Sequence, residues 1–164
     1  MQMGRAVAAV ASFAVAVVLA SPAQAASADL SVYRVPAAVS GVAATTVRDQ
    51  ETVIFRAYAR NNGPGASDMY VMYTNTRHLA IVSEACIVPA SESGDVGNVT
   101  PDTPSCEWTG VPEGDYAIVR VKAIVVGQPG RVARITFCSS NGQGTDDANP
   151  ANDCRPRHLT IVAG

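Results

Sequence analysis

Helical periodicity, catalytic signatures and closely paired cysteines are all missing from this chain, and each absence removes a class of function. No segment repeats apolar residues at three- and four-residue intervals between capping residues, so helices do not organise the fold. Neither G-x-S-x-G nor H-E-x-x-H occurs, the histidines are His78 and His158 alone, and no acid pair stands out from the scatter of loop carboxylates. A catalytic triad would have to be assembled from distant positions, and we read the chain as non-catalytic and without a cofactor. His158 precedes "LTIV" and belongs on a sheet surface, while His78 begins a short strand. No two cysteines form C-x-x-C, which argues against a thiolate metal site. Bases do not exceed acids, 12 against 14, which argues against nucleic acid as a partner.

Long apolar runs are scarce too. One stands out, "AVAAVASFAVAVVLA" after Arg5, followed by "SPAQA". At about 15 residues it is short for a membrane span of roughly 20, and Ala23-Gln24-Ala25 has the small-x-small pattern of a signal-peptidase site. We read residues 1–25 as a secretory signal peptide and 26–164 as a single domain. Cleavage removes one base, Arg5, and no acid, taking the formal charge from −2 to −3. The expected product is secreted and extracellular, with no membrane span after cleavage. Its length suits one domain with its own core. Cys86, Cys106, Cys138 and Cys154 form an even set in an oxidising compartment, where disulfides are expected, and four cysteines permit three pairings.

What is present is two-residue alternation, in short runs of β-branched and aromatic residues separated by Gly, Pro, Asn and Asp. That pattern predicts an all-β sandwich. Strands are expected near Asp29–Val35, Thr52–Arg60, Met69–Thr76, Leu79–Ser83, Ser105–Thr109, Tyr116–Val126, Arg131–Ser139 and Arg157–Val162. In "ETVIFRAYARN", Val53, Phe55, Ala57 and Ala59 share the core face, and Ile54, Arg56, Tyr58 and Arg60 point away. In "DYAIVRVKAIVV", Ala117, Val119, Val121 and Ala123 point inward, opposite Ile118, Arg120, Lys122 and Ile124. The stretch "RNNGPGAS" reads as a sharp sheet-to-sheet turn, because Asn and Gly tolerate left-handed backbone and Pro64 ends the ladder. Pro89 to Ser105 is long, polar and poor in apolar anchors, and reads as a mobile surface loop.

The order "ADLSV", "NNGP", Cys106-x-Trp108-x-Gly110, a Pro112-Glu113-Gly114 turn before a long alternating strand, then "DDANPAND" resembles the bacterial secreted repeat family labelled domain of unknown function 11. The likeness runs from Ala28 to about Val162. It implies an immunoglobulin-like β-sandwich of about seven to eight strands, found outside the cell, often in tandem copies, with structural or adhesive roles. One copy is present here, and a lone module spaces nothing. The resemblance also implies a Cys86–Cys106 pair, leaving Cys138 and Cys154 to join the last two strands. Each bridge would close a loop of about 15 to 20 residues, worth roughly 3 kcal/mol of chain entropy.

Three features qualify as candidate sites. In an immunoglobulin-like order the second strand and the long "DYAIVRVKAIVV" strand are neighbours, which sets Arg56, Tyr58 and Arg60 beside Arg120 and Lys122 on one outer face while acids gather in loops. Asp146, Asp147, Asn149, Asn152 and Asp153 offer oxygen ligands, but without EF-hand spacing or a Glu at its twelfth position; Asx side chains bonding their own backbone in a turn explain them better. Trp108, two residues after Cys106, is read as core packing against a disulfide.

The expected function is a non-catalytic extracellular module with two disulfides, engaged in structural or adhesive interaction at the bacterial surface or wall. Its partner would be an extracellular protein or a cell-wall polymer. The alternative is a secreted protein-binding or inhibitor module presenting the loop Pro89 to Ser105, whose ends Cys86 and Cys106 would brace.

Overall fold

A computed structural model describes residues 28–87, 105–141 and 147–164. The signal-peptide reading of residues 1–25, residues 88–104 of the long loop, and Asp146 lie outside the described residues. Eleven strands occupy the rest. They are β1 (Leu30–Arg34), β2 (Ala37–Val39), β3 (Val42–Ala43), β4 (Thr46–Arg48), β5 (Thr52–Asn61), β6 (Ser67–Arg77), β7 (Leu79–Ile87), β8 (Ser105–Val111), β9 (Tyr116–Val125), β10 (Val132–Ser140) and β11 (Cys154–Val162). Eight are the ones the alternation predicts. The extra three, β2 to β4, are two or three residues long, too short to display a period.

Two sheets pack face to face as an immunoglobulin-like sandwich. Sheet A runs β3-β2-β5-β9-β7, with β1 also on β5; sheet B runs β4-β11-β10-β6-β8. All pairs are antiparallel except β4 on β11. Val53, Phe55, Ala57 and Ala59 of β5 and Ala117, Val119, Val121, Ala123 and Val125 of β9 are buried. Sheet B answers them with Met69, Val71, Ile135, Phe137, Leu159 and Ile161. Small alanines on one side facing larger side chains on the other let the layers interdigitate, and each buried Val, Ile, Leu or Phe stabilises by about 1.5–3 kcal/mol.

The corner from β5 to β6 is the "NNGP" turn. Asn61 is fully buried, yet its amide donates to Gly65 O (2.8 Å) and Val111 O (2.9 Å) and accepts from Gly63 N (3.0 Å). Satisfied on both ends, a buried amide fastens the chain as it changes sheets.

Strand β7 outlasts its expected end at Ser83 because a bulge between Ile81 and Ser83 reverses its parity. Beyond the bulge, Glu84 and Cys86 point inward, opposite Val121 and Val119. Glu84 meets Tyr73 of sheet B; burial first, then the Glu84 charge and their hydrogen bond, push the Tyr73 phenol up to about 12. An acid at an inward position looks like the end of a strand until its partner across the sandwich is known.

The disulfides differ in what they join. Cys86–Cys106 links the edge strand of sheet A to that of sheet B, and Cys138–Cys154 bridges directly opposed residues of β10 and β11. Trp108 and Cys106 occupy the same inward face of β8, both buried. Disulfides of this kind belong to an oxidising environment.

Candidate functional site

The register sets β5 and β9 side by side, with Arg56 opposite Arg120, Tyr58 opposite Ile118, Arg60 opposite Tyr116 and Ile54 opposite Lys122. Arg56, Tyr58, Arg60, Arg120 and Lys122 therefore share one outer face. They divide along it: Arg60 and Tyr58 lie near the β8–β9 turn, Arg56 and Arg120 at mid-strand, and Lys122 toward the other end.

The sequence alone did not single out the residues that complete the upper half of this face. Tyr33 and Tyr116 close on Tyr58 from either side, with ring centroids 6.1 and 6.4 Å away, all tilted rather than stacked. Arg34 lies over the Tyr58 ring, its guanidinium carbon 5.3 Å from the centroid, within cation–π range. Arg60 donates from Nε to Gly114 O (3.0 Å), which holds its guanidinium beside Tyr116. Continuing the β9 alternation one residue upstream would have found Tyr116. Tyr33 and Arg34 were invisible, because a register shift between Val32 and Arg34 turns the end of β1 outward.

The three rings lie on adjacent strands β1, β5 and β9, a row about 10 Å across. Tyr33 and Tyr116 are exposed by 41% and 39%, large values for tyrosine on a sheet. Burial first, then the Tyr116 and Tyr58 phenols, raise the Tyr33 pKa above its ordinary value, against Arg34 and Arg60. The hydroxyl thus stays a neutral donor. The outward positions of β5 and β9 hold no carboxylate, only Thr, Ile, Arg, Lys and Tyr. Chemically this surface offers ring faces, hydroxyl donors and five cations.

The acidic segment behaves differently. Asp147 accepts from Leu30 N (3.0 Å) and Asn149 N (2.8 Å), Asn152 donates to Asp29 (3.0 Å), and Pro150–Asn152 form one 3-10 turn. These bonds clasp the β10–β11 connection to the start of β1, which is the turn reading. Burial first, then the charges of Asp147 and Asp29, push the Asp153 carboxyl up to about 6. Among the described residues no group of three or more His, Cys, Asp or Glu is placed to hold a metal.

His78 sits in the β6–β7 turn with φ +55° and its Nδ1 3.2 Å from Val126 O. Gly127 is what lets it fit, since a Cβ there would stand 2.9 Å from that Nδ1 and 2.8 Å from Ile161 Cδ1. His158 is exposed on β11, opposite Arg134. No helix among the described residues is long and apolar enough to cross a membrane.

No family model matches the chain, and no curated protein matches it. Among solved structures, the chain is similar to the CARDB domain of the PF1109 protein of Pyrococcus furiosus, crystallised with di-metal ions, at 13% identity, 82% of this chain, 89% of that one and a TM-score of 0.43. AvmM, which catalyses macrocyclization in alchivemycin A biosynthesis, is similar at 17% identity, 79% and 89% coverage and a TM-score of 0.37.

Proposed function

We propose that this chain is a non-catalytic module, secreted by a bacterium, that attaches to an anionic polymer of the cell surface or wall through the outer face of sheet A. One observation carries the reading: Tyr33 and Tyr116 stand on either side of Tyr58, their ring centroids 6.1 and 6.4 Å from its own, flanked by Arg34, Arg56, Arg60, Arg120 and Lys122, with no carboxylate at the outward positions of β5 and β9. Cations left without acids attract polyanions and release their counterions on contact. Exposed tyrosines add contact area at low entropy cost and offer hydroxyls to the ligand. The resemblance to domain of unknown function 11 and the two disulfides support an extracellular setting.

The test is sedimentation with isolated cell wall across a salt series. Replacing Arg56, Arg60, Arg120 and Lys122 together by Gln should weaken association at least tenfold and flatten its salt dependence. Unchanged association and an unchanged slope would discard the reading.

A second reading keeps one supporting observation. The Cys86–Cys106 bridge ties together the two ends of the loop Pro89 to Ser105, lowering the entropy cost of presenting it to a protein partner. Deleting residues 91–103 while keeping both cysteines should then abolish pull-down of a protein from culture supernatant. Undiminished pull-down removes this alternative.

A further inference from the structure

The tyrosine row does not stop at β1. Past Tyr33, at the open side of the sandwich where β1 and β2 of sheet A face β11 of sheet B, lies a groove of about 430 Å³. Arg34, Arg155 and Arg157 line it together with Tyr33, Pro36 and Ala43, and no carboxylate is among its lining residues. Arg157 is anchored by a bond from Nη2 to Ala44 O (2.7 Å), while its Nε is buried with no hydrogen-bond partner. Three arginines line one groove with no acid among its lining residues, and such a concentration of positive charge attracts an anion. Tyr33 belongs to both places: it lines the groove and its ring lies 6.1 Å from that of Tyr58.

From this continuity we infer that the groove is the subsite for a sugar carboxylate, and that the polymer is a glycan built from uronic acids. The inference rests on the proposed binding role of the sheet A face. A uronate carries its carboxylate on the ring itself, so a pyranose lying against Tyr33 delivers the charge directly to Arg155, with the Arg34 guanidinium over Tyr58 at the junction of groove and row. Guanidinium forks match the planar carboxylate two bonds at a time. Following sugars then pass Arg34, which covers the Tyr58 ring, and reach Tyr116, whose ring face suits the apolar C–H face of a pyranose, with Arg60 beside it for a later carboxylate. A polymer with charge on flexible phosphate links between its sugars cannot hold ring and charge at that fixed separation. An acidic protein segment would use the cations and leave the tyrosine row idle.

Calorimetry with the disulfide-intact protein decides this, using oligogalacturonate as the carboxylated glycan, polyphosphate, neutral dextran oligomers and poly-glutamate as probes. Oligogalacturonate should bind at least tenfold tighter than polyphosphate or poly-glutamate at equal charge, and dextran should not bind. Arg155→Gln should weaken oligogalacturonate about tenfold, as expected for loss of a charged hydrogen-bonding partner, and leave polyphosphate within twofold. Tyr33→Ala should lower the preference for oligogalacturonate over polyphosphate. Arg155 is exposed and off the core, so its variant folds; far-ultraviolet circular dichroism checks that.

If all polyanions bind equally and Arg155→Gln changes none of them, the groove inference is overturned while the sheet A reading stands. A preference for poly-glutamate overturns the glycan and points to an acidic protein. If no polyanion binds, the proposed function itself fails.

Discussion

Both outer faces of the sandwich carry arginines, but their tyrosines live in opposite circumstances. On sheet B, Arg77, Arg134 and His158 stand in one cross-strand row. At the other end of that sheet Tyr70 is spoken for: its hydroxyl donates to Glu107 directly opposite, at 2.5 Å. On sheet A the tyrosines meet rings and a guanidinium rather than acids. A hydroxyl bonded to a neighbouring carboxylate belongs to the fold's own ledger of hydrogen bonds, whereas rings and charges left without acids remain available to a ligand. Charge alone therefore does not mark a binding face; charge that the fold leaves uncompensated beside exposed rings does.

The largest effect that probes this contrast comes from the disulfides. Replacing Cys86 and Cys106 by Ala should cost about 3 kcal/mol in urea denaturation and loosen one sheet against the other. Replacing Cys138 and Cys154 should cost a similar amount but act within sheet B, so that wall binding by the folded fraction persists through the sheet A row and loses at most the share of the groove residue Arg155 beside Cys154. Complete loss of binding in the second variant at full folding would move the main site from the sheet A row to sheet B.

Charge reversal sharpens the comparison more directly. Arg120→Glu faces Arg56, and Arg134→Glu faces Arg77 and His158. Each replaces a like-charge pair by an opposite one, worth about 0.5 kcal/mol of added stability in thermal unfolding. Only Arg120→Glu should weaken wall association, by about tenfold, read by the same sedimentation assay. Equal losses from both variants would mean that the faces are equivalent.

A pH series separates both faces from the acidic end. The Asp153 carboxyl is raised in the folded chain to about 6, mainly by burial and then by Asp147 and Asp29. A carboxyl whose folded pKa exceeds its unfolded value contributes stability at low pH that is lost as pH rises through about 6, because the folded state then binds the extra proton. Asp153→Asn should accordingly raise the Tm at pH 7–8, and the advantage should vanish near pH 4. Wall association should be untouched, since this clasp lies outside the sheet A row.

The smallest difference is between hydroxyls. Tyr70→Phe should lower the Tm slightly by stranding Glu107, whereas Tyr116→Phe should leave the Tm unchanged and weaken the polymer instead. The reverse pattern would show that the sheet A hydroxyls are structural.

Most of the long strands were legible in the sequence because β5 and β9 alternate without a break, so a buried Phe55 and an outward Arg56 follow from parity alone. The neighbour relation of those two strands also followed, once the immunoglobulin-like order was adopted. Legibility failed where parity is interrupted. The bulge after Ile81 hid residues 84–87 of β7, and the shift after Val32 hid Tyr33 and Arg34. The groove arginines Arg155 and Arg157 were hidden for another reason. They lie more than 100 residues from Arg34 in the chain, and nothing local in "CRPRH" announces which strand will face it.

Taken by itself, the sequence determined that this chain forms strands, which residues of β5 and β9 are buried, and that four cysteines would be oxidised outside a reducing compartment. Those outcomes follow from side-chain polarity at two-residue spacing and from thiol chemistry, both local properties. The tertiary structure alone decided that three tyrosines on separate strands would share a row, that the row would run into an arginine-lined groove, and that Tyr73 would meet Glu84 across the sandwich. Such juxtapositions depend on strand order, register and bulges, and these are settled by the packing of two whole sheets rather than by any single stretch of chain.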